Sequence, residues 1–256
     1  MISSKAIISP KAIIGSSTVI KDFAIIEDDV QIGENCEIHY NAQVESGARI
    51  GNGVKIFKSA VISCVPQDKK FNNEYSVLEI GDNTVIREFA TLSRGTSALG
   101  RSAIGSNCLV MSYVHVAHDS IIGSNVILAN SVNMGGHVYI DDWATVGGMV
   151  GIHQFVKIGA HSFIAFGSRV TQDVPPYILA GGTNLGYKGL NLVGLKRRGF
   201  TEDQIKNIKS TYNLIYGNEY NISDAVKAVK DTVELTAEVQ NIIQFIETSE
   251  RGIIRK

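Results

Sequence analysis

Histidines are concentrated in one part of this sequence and are the residues best suited to do chemistry. Five of the six, His115, His118, His137, His153 and His161, lie between residues 115 and 161. Near pH 7 a neutral imidazole can take a proton from a hydroxyl or an amine, and it is also a common metal ligand. The residues alone leave three interpretations open: a general base, a metal site, or purely structural hydrogen bonding. Which histidines are neighbours depends on the elements that carry them.

The composition favours β-structure in those elements. The chain has 256 residues with 33 Ile and 24 Val against 12 Leu, and β-branched side chains suit strands. The 25 Gly and 4 Pro exclude a collagen and a Pro-rich disordered chain. A charged fraction of 19% and a formal net charge of -1 argue against disorder and against nucleic-acid binding.

The sequence also indicates a compartment. No apolar run approaches the roughly 20 residues that a transmembrane helix needs, and the N-terminus lacks the features of a signal peptide. The 3 cysteines have no metal-ligand spacing and suit a reducing environment. We therefore expect a cytoplasmic protein without a transmembrane segment.

An aliphatic residue recurs every six positions along most of the chain. The series runs from Ile8 to Ile62, from Ile80 to Leu92 and from Ile104 to Val170. A flat strand has a period of two and a helix a period of 3.6, so this period needs a short strand and a turn, repeated. The pattern resembles that of the left-handed parallel β-helix family, built from hexapeptide repeats. That resemblance implies the left hand and 18 residues per coil.

The predicted fold is therefore an all-β left-handed parallel β-helix with a small C-terminal α-helical domain. We expect the β-helix over residues 1–177, with an excursion loop at about 65–77 and a loop or degraded hexad at 96–101. Residues 178–200 form a connecting segment, and residues 201–256 form the helical domain. A capping-box pattern begins at Thr201, Ser223 is the expected cap of a second helix, and a third runs from about Leu235 to Ile246.

The coil length of 18 identifies which site candidates stack. His118, Gly136 and Gln154 fall in one column across three coils, with His137 and His153 one position beside it. Neighbouring coils lie about 4.8 Å apart, so these side chains should line one edge within about 10 Å. His115 lies half a hexad from His118.

Several runs in this order carry a more specific resemblance. They cover residues 115–119, 136–137, 147–149, 153–155, 172–177 and 194–200. In order and spacing they resemble the UDP-N-acetylglucosamine acyltransferases of lipid A biosynthesis, over essentially the whole chain. The resemblance implies a homotrimer that moves a 3-hydroxyacyl chain from acyl carrier protein to the glucosamine 3-hydroxyl, or a 3-amine, of UDP-N-acetylglucosamine. It implies no metal and no cofactor beyond the phosphopantetheine of the carrier protein.

The resemblance also implies roles for individual residues. His118 matches the general base, and Asp119 would orient it, although adjacent strand residues normally point to opposite faces. Gly136 matches the residue whose backbone N–H stabilises the oxyanion. The implied substrate-binding residues are Gln67, Asp68, Lys70, His115, His137, His153, Gln154, Asn191, Arg197 and Arg198. His39 and His161 match no role, and Trp143 is expected to pack. Asp68 could simply belong to a solvated loop, and the basic run 196–198 could be an ordinary basic turn.

Three positions depart from the family pattern. Phe166 stands where well-known long-chain members carry a glycine that measures the acyl chain, so we expect a shorter chain here. Val193 replaces an acidic residue near the nucleotide, and Ser93 replaces a histidine.

Alternatives remain within and outside this fold. They are an acetyltransferase using acetyl-CoA, a metal-dependent carbonic anhydrase, and a structural or binding β-helix without catalysis. An acyltransferase acting on the already mono-acylated sugar is less favoured, because no additional N-terminal uridine-binding domain is recognisable.

Overall fold

Three sheets form the faces of a triangular prism. The computed structural model describes all 256 residues. The first sheet contains β1 (Ile7–Ile8), β4 (Ile25–Ile26), β7 (Gln43–Val44), β10 (Val61–Cys64), β13 (Thr91–Ser93), β16 (His115–Val116), β19 (Asn133–Met134), β22 (Gly151–Ile152) and β25 (Arg169–Val170). The second contains β2 (Ile13–Ile14), β5 (Gln31–Ile32), β8 (Ala48–Ile50), β11 (Val77–Ile80), β14 (Arg101–Ile104), β17 (Ile121–Ile122), β20 (Tyr139–Ile140) and β23 (Lys157–Ile158).

The third sheet completes the prism. It contains β3 (Val19–Ile20), β6 (Glu37–Ile38), β9 (Lys55–Ile56), β12 (Val85–Ile86), β15 (Leu109–Val110), β18 (Ile127–Leu128), β21 (Thr145–Val146), β24 (Phe163–Ile164), β26 (Ile178–Gly181) and β27 (Gly186–Leu190). The chain visits the sheets in rotation, and all pairings are parallel except that of β26 with β27. We name each corner of the prism by the two sheets that it joins. The predicted left-handed β-helix with a C-terminal helical domain is confirmed.

The strands pair with the predicted step of 18 residues. Ile7 pairs with Ile25, and His115 pairs with Asn133. Along the first sheet the step lengthens twice: Val61 pairs with Thr91, and Thr91 pairs with His115. Along the third sheet the last parallel pairing, Phe163 with Leu179, is two residues shorter than 18. The two insertions therefore leave the prism at the first–second corner of successive coils, and the second one is a loop rather than a degraded hexad.

The hexad centres form the core. Every centre from Ile20 to Val170 is buried, whereas Ile8 and Ile14 at the N-terminal end are half-buried. The glycine after a centre serves close approach between coils, since a β-carbon on Gly105 would lie 2.6 Å from the backbone of Gly123. The left-handed backbone of the corner falls two residues later, as at Asn107 with φ of 57°.

Four helices follow the prism. They are α1 (Leu192–Arg197), α2 (Glu202–Ile215), α3 (Ile222–Thr232) and α4 (Ala237–Glu247). The capping box at Thr201 is confirmed. The cap expected at Ser223 is wrong: Asn221 caps α3, because its side chain accepts the N–H of Asp224. The last helix begins after Thr236, two residues beyond the expected start.

The helical domain is attached to the last coil of its own prism. Tyr212 donates its hydroxyl to the carbonyl of Pro176 at 2.6 Å. The buried carboxylate of Asp173 accepts from the Ser249 hydroxyl at 2.6 Å and from the Lys157 N–H at 2.8 Å. No helix in the structure combines the length and apolar character that a bilayer crossing demands.

Candidate active site

His118 and Asp119 form a hydrogen-bonded pair at the first–second corner. His118 Nδ1 lies 2.8 Å from Asp119 Oδ2. Asp119 has a φ of 56°, so it belongs to the left-handed corner and not to a strand. That backbone turns the two adjacent side chains toward each other, and the alternation that argued against the pairing does not apply.

The Asp119 carboxylate is buried, with 2% of its surface exposed. Burial raises its pKa, but hydrogen bonds from the Thr96 hydroxyl and N–H and from His118 outweigh that effect, so the pKa lies below its usual value. Asp119 is therefore a carboxylate at neutral pH and can only accept hydrogen bonds. Consequently Nδ1 of a neutral His118 carries the proton, and Nε2 presents a lone pair.

The His118 ring lies directly against Gly136 in the next coil. A β-carbon on Gly136 would be 2.6 Å from His118 Cε1 and 2.8 Å from Nε2, so only glycine fits without a shift. The Gly136 N–H has no acceptor within the chain. At the equivalent turn position of another corner, the Ser124 N–H donates to the Asp142 carboxylate at 2.7 Å. A backbone donor thus stays free beside the imidazole.

His137 completes a cluster with this pair. Its ring meets the His118 ring edge-on with centroids 5.3 Å apart, and stacks on Phe155 at 4.6 Å. His137 Nε2 is 3.7 Å from Asp119 Oδ2. One ligand atom from each of His118, Asp119 and His137 lies within 4.8 Å of the others, so the three could hold a metal ion. The Asp119 oxygens, however, already accept from Thr96 and His118.

The first insertion brings Asp68 to the other side of His118. Asp68 Oδ2 lies 4.0 Å from His118 Nε2. The Asp68 side chain also accepts the backbone N–H of Lys70 at 3.0 Å. Gln67 and the Lys70 side chain are exposed. The two carboxylates of Asp68 and Asp119 therefore flank one imidazole.

The remaining histidines of this corner differ in environment. His115 Nδ1 is 2.7 Å from the Thr91 hydroxyl, and burial followed by the proximity of His118 lowers its pKa. His153 and Gln154 are exposed, and His153 Nδ1 is 3.1 Å from the Gln154 carbonyl oxygen. The predicted edge is thus assembled, with His118, Gly136 and His137 in contact and His153 at its open end.

The basic residues near the C-terminus lie at a different corner, the second–third. Arg198 Nη1 is 3.4 Å from His161 Nδ1, and its guanidinium lies over the Trp143 ring at 5.3 Å. The Asn191 side chain donates to the His161 carbonyl and accepts the Gly194 N–H as the cap of α1. Within one chain these residues do not meet His118.

An apolar groove runs along the outer face of the third sheet beside this corner. It encloses about 530 Å³ and is lined by Ile127, Thr145, Phe163, Leu179, Leu190, Asn191, Leu192, Val193, Gly194, Arg197 and Arg198. Phe166 is not among the lining residues. It lies at the third–first corner with 71% of its surface exposed, against Gly148.

Sequence reasoning missed three features of these sites. Thr96 lies in an insertion whose length no repeat could fix. His161 and Trp143 are stacked with centroids 6.2 Å apart beneath Arg198. Their 18-residue spacing was an unused signal for that stacking, and nothing in the hexads indicated that residues after 190 fold back onto the pair.

Comparisons with known proteins agree with this architecture. Residues 173–254 match the family model for domain 2 of UDP-N-acetylglucosamine O-acyltransferase, and residues 11–46 and 101–136 match the bacterial transferase hexapeptide model. A β-helix of hexads with a histidine–carboxylate pair at a corner, matched to a transferase repeat, defines a hexapeptide-repeat acyltransferase.

Individual relatives narrow the class to a family. An acyl-[acyl-carrier-protein]–UDP-N-acetylglucosamine O-acyltransferase from Janthinobacterium sp. (strain Marseille) is 44% identical over 206 residues, 78% of this chain and 79% of that protein. The Bacteroides fragilis UDP-N-acetylglucosamine acyltransferase structure is 47% identical with a TM-score of 0.98, covering 100% of both chains. That from Francisella novicida is 38% identical with a TM-score of 0.97, covering 100% of this chain and 94% of the other. The chain belongs to the UDP-N-acetylglucosamine acyltransferase family.

Proposed function

We propose that this enzyme transfers a 3-hydroxyacyl chain from acyl carrier protein to the glucosamine 3-hydroxyl of UDP-N-acetylglucosamine, or to the 3-amine of an analogue. This reaction is the first step of lipid A biosynthesis. The names of its relatives specify an acyl carrier protein as the donor and UDP-N-acetylglucosamine as the acceptor. The observation that carries the residue assignment is the imidazole of His118, held by Asp119 on one nitrogen and lying against Gly136.

His118 acts as the general base. Its Nε2 lone pair takes the proton of the sugar hydroxyl as that oxygen attacks the thioester carbonyl carbon. The resulting oxyanion accepts a hydrogen bond from the free Gly136 N–H. Collapse of the tetrahedral intermediate breaks the carbon–sulfur bond, and the imidazolium returns its proton to the departing pantetheine thiolate. The thioester supplies the activated acyl group, so the chemistry needs no cofactor of its own.

Residues around His118 bind the two substrates in this proposal. Asp68, with Gln67 and Lys70 beside it, faces Nε2 of His118 and binds the sugar. His115 lies next to His118 and borders the same sugar position. His137, His153 and Gln154 continue along the corner, where an extended pantetheine would run. Arg197 and Arg198 suit the UDP phosphates or the carrier protein, because guanidinium groups bind such oxygens in pairs.

We further propose a homotrimer in which neighbouring chains complete each site. His118 lies at the first–second corner, Phe166 at the third–first corner and Arg198 at the second–third corner. A second copy is needed to bring the apolar groove and the arginines to His118. Cyclic symmetry would then create three equivalent clefts. The acyl chain would occupy the groove on the third sheet, whose lining is mainly apolar. We place the enzyme in the cytoplasm, a reducing compartment compatible with its free cysteines.

A product analysis tests the proposed reaction. The purified protein is incubated with a panel of 3-hydroxyacyl carrier protein thioesters and with both the 3-hydroxyl and 3-amino sugars, and products are identified by mass spectrometry. Acylated nucleotide sugar should form with at least one donor. Absence of transfer from every 3-hydroxyacyl thioester, with folded protein and active controls, would refute the proposal.

One cluster favours a second candidate, metal-dependent hydration of the carbonic anhydrase type. His118, Asp119 and His137 are close enough to share an ion. The hydrogen bonds that already engage Asp119 make this the weaker assignment. One bound zinc per chain that disappears in His118→Ala, together with hydration activity, would favour it over acyl transfer.

A further inference from the structure

Thr96 holds the carboxylate that in turn holds His118. Its backbone N–H donates to Asp119 Oδ1 at 2.9 Å, and its hydroxyl donates to Asp119 Oδ2 at 2.6 Å. Thr96 is itself buried, with 6% of its surface exposed. Two donors from one residue fix the plane of the carboxylate, and Oδ2 is the oxygen that also faces His118 Nδ1.

The two insertions in the repeat are joined beside this contact. Glu74, in the first insertion, accepts the N–H of Ser97 at 2.9 Å with one oxygen and the N–H of Asn72 at 2.7 Å with the other. Ser97 directly follows Thr96. The segment that carries Asp68 to His118 Nε2 is therefore tied to the segment that carries Thr96 to Asp119.

We propose that Thr96 is a positioning residue, which acts through Asp119 to set the orientation and basicity of His118. This inference rests on the proposed function. The Thr96 hydroxyl donates to Asp119 Oδ2 and so reduces the negative charge on that oxygen, while holding it in line with His118 Nδ1. Nε2 of His118 therefore stays directed at the sugar hydroxyl that is to be acylated. The interruptions of the repeat thus build the site from both sides of one imidazole.

Four titratable side chains surround His118, and any effect of Thr96 on the pH profile must act through them. They are Asp119, Asp68, His137 and His115. The polar partners of the Asp119 carboxylate are Thr96, His118 and His137. A change at Thr96 alters no charge in this set, so its effect on the pH profile must pass through Asp119.

Two substitutions separate positioning from packing. Thr96→Val removes the hydroxyl and keeps the shape, whereas Thr96→Ser keeps the hydroxyl and removes the methyl group. Thr84→Val is the matched control. Thr84 is also buried and donates its hydroxyl to the Gly105 carbonyl at 2.8 Å, but it lies at the second–third corner and not at the corner of His118. For each variant, kcat, KM for both substrates and the pH dependence of kcat/KM are measured.

Thr96→Val should lower kcat about tenfold or more, the loss expected for one hydrogen bond to a charged group, with KM changed less than about twofold. In Thr96→Val the acidic limb of the kcat/KM profile should move to higher pH, because Asp119 Oδ2 without the hydroxyl contact stabilises the imidazolium form of His118 more strongly. Thr96→Ser should restore the wild-type kcat and the wild-type pH profile. Wild-type kcat and pH profile in Thr96→Val, an equal loss in Thr96→Ser, or a loss in KM alone would overturn the proposal.

A second readout is independent of turnover. Nitrogen-15 spectra of His118 should differ from wild type in Thr96→Val and match wild type in Thr96→Ser. This comparison still decides the role of Thr96 if the wild-type protein fails to transfer the acyl group, which would refute only the proposed function. If Thr96→Val does not fold, Thr96→Ala takes its place. Failure of both to fold would contradict the proposal, since it would assign Thr96 to stability.

Discussion

The imidazole of His118 lies so close to Gly136 that a β-carbon on the glycine would fall 2.6 Å from Cε1 of the ring. The two residues belong to successive coils and are 18 positions apart. The proton acceptor and a free backbone donor are therefore placed together by the pitch of the β-helix itself.

Gly136→Ala should lower kcat by about a hundredfold or more, the scale of displacing a general base from its oxyanion donor. The added methyl group pushes the His118 ring away from the position fixed by Asp119. Gly151→Ala is the control, because a β-carbon there meets nothing within 4 Å. Equal kcat for the two variants, measured by acyl transfer, would contradict the assigned geometry.

His161 should titrate far below an ordinary histidine. Burial, and secondarily the Arg198 guanidinium, lower its pKa to about 4 from the usual 6.5. Its contribution to stability is therefore complete above pH 6.5 and is lost as the pH falls toward 4. Two-dimensional NMR should show a midpoint near 4, raised only partly in Arg198→Ala because burial is the larger cause. A midpoint at 6.5 in the folded protein would contradict this environment.

Mixed oligomers should regain activity that neither parent has. His118→Ala and Arg198→Ala chains are each predicted to be severely impaired alone. If one chain supplies the base and its neighbour the arginine, random co-assembly makes about a quarter of the clefts intact. Activity of the co-refolded mixture checks this. A mixture as inactive as its parents, despite verified co-assembly, would contradict a shared site.

Phe166→Gly should extend the preferred acyl chain. Phe166 lies outside the apolar groove, at the other edge of the third sheet, so removing its ring would lengthen the path of an acyl chain that crosses this face beyond the groove. Each additional methylene buried there is worth about 0.8 kcal/mol, or roughly fourfold in kcat/KM. Phe166→Leu should give an intermediate preference. If Phe166→Gly still rejects longer donors in competition assays, Phe166 does not limit the chain.

The repeat determined how much could be predicted. A strict period of six fixes which residues face inward and which stack, so the adjacency of His118, Gly136 and Gln154 followed from counting alone. Counting fails where the chain leaves the repeat. Thr96 and Asp68 lie in insertions. The length of an insertion preserves the six-residue register of the repeat but does not show which residues of the prism its side chains contact.

Local rules had similar limits. Alternation argued against a contact between His118 and Asp119, yet the left-handed corner at Asp119 makes adjacent side chains meet. The start of α3 was misplaced because Asn221 and Ser223 are both good caps, and only the observed acceptor of the Asp224 N–H distinguishes them. The position of Arg198 depends on the path of residues 178–200 back to the prism. That segment has no repeat from which its path could be predicted.

The most direct test of the catalytic assignment is the rate of acyl transfer by His118→Gln. Glutamine keeps a polar side chain against Gly136 but cannot take up the proton of the sugar hydroxyl at neutral pH. Product formation from 3-hydroxyacyl carrier protein and UDP-N-acetylglucosamine should fall by about 10²- to 10⁴-fold relative to wild type, the usual contribution of a general base. A rate equal to that of wild type would show that His118 is not the base.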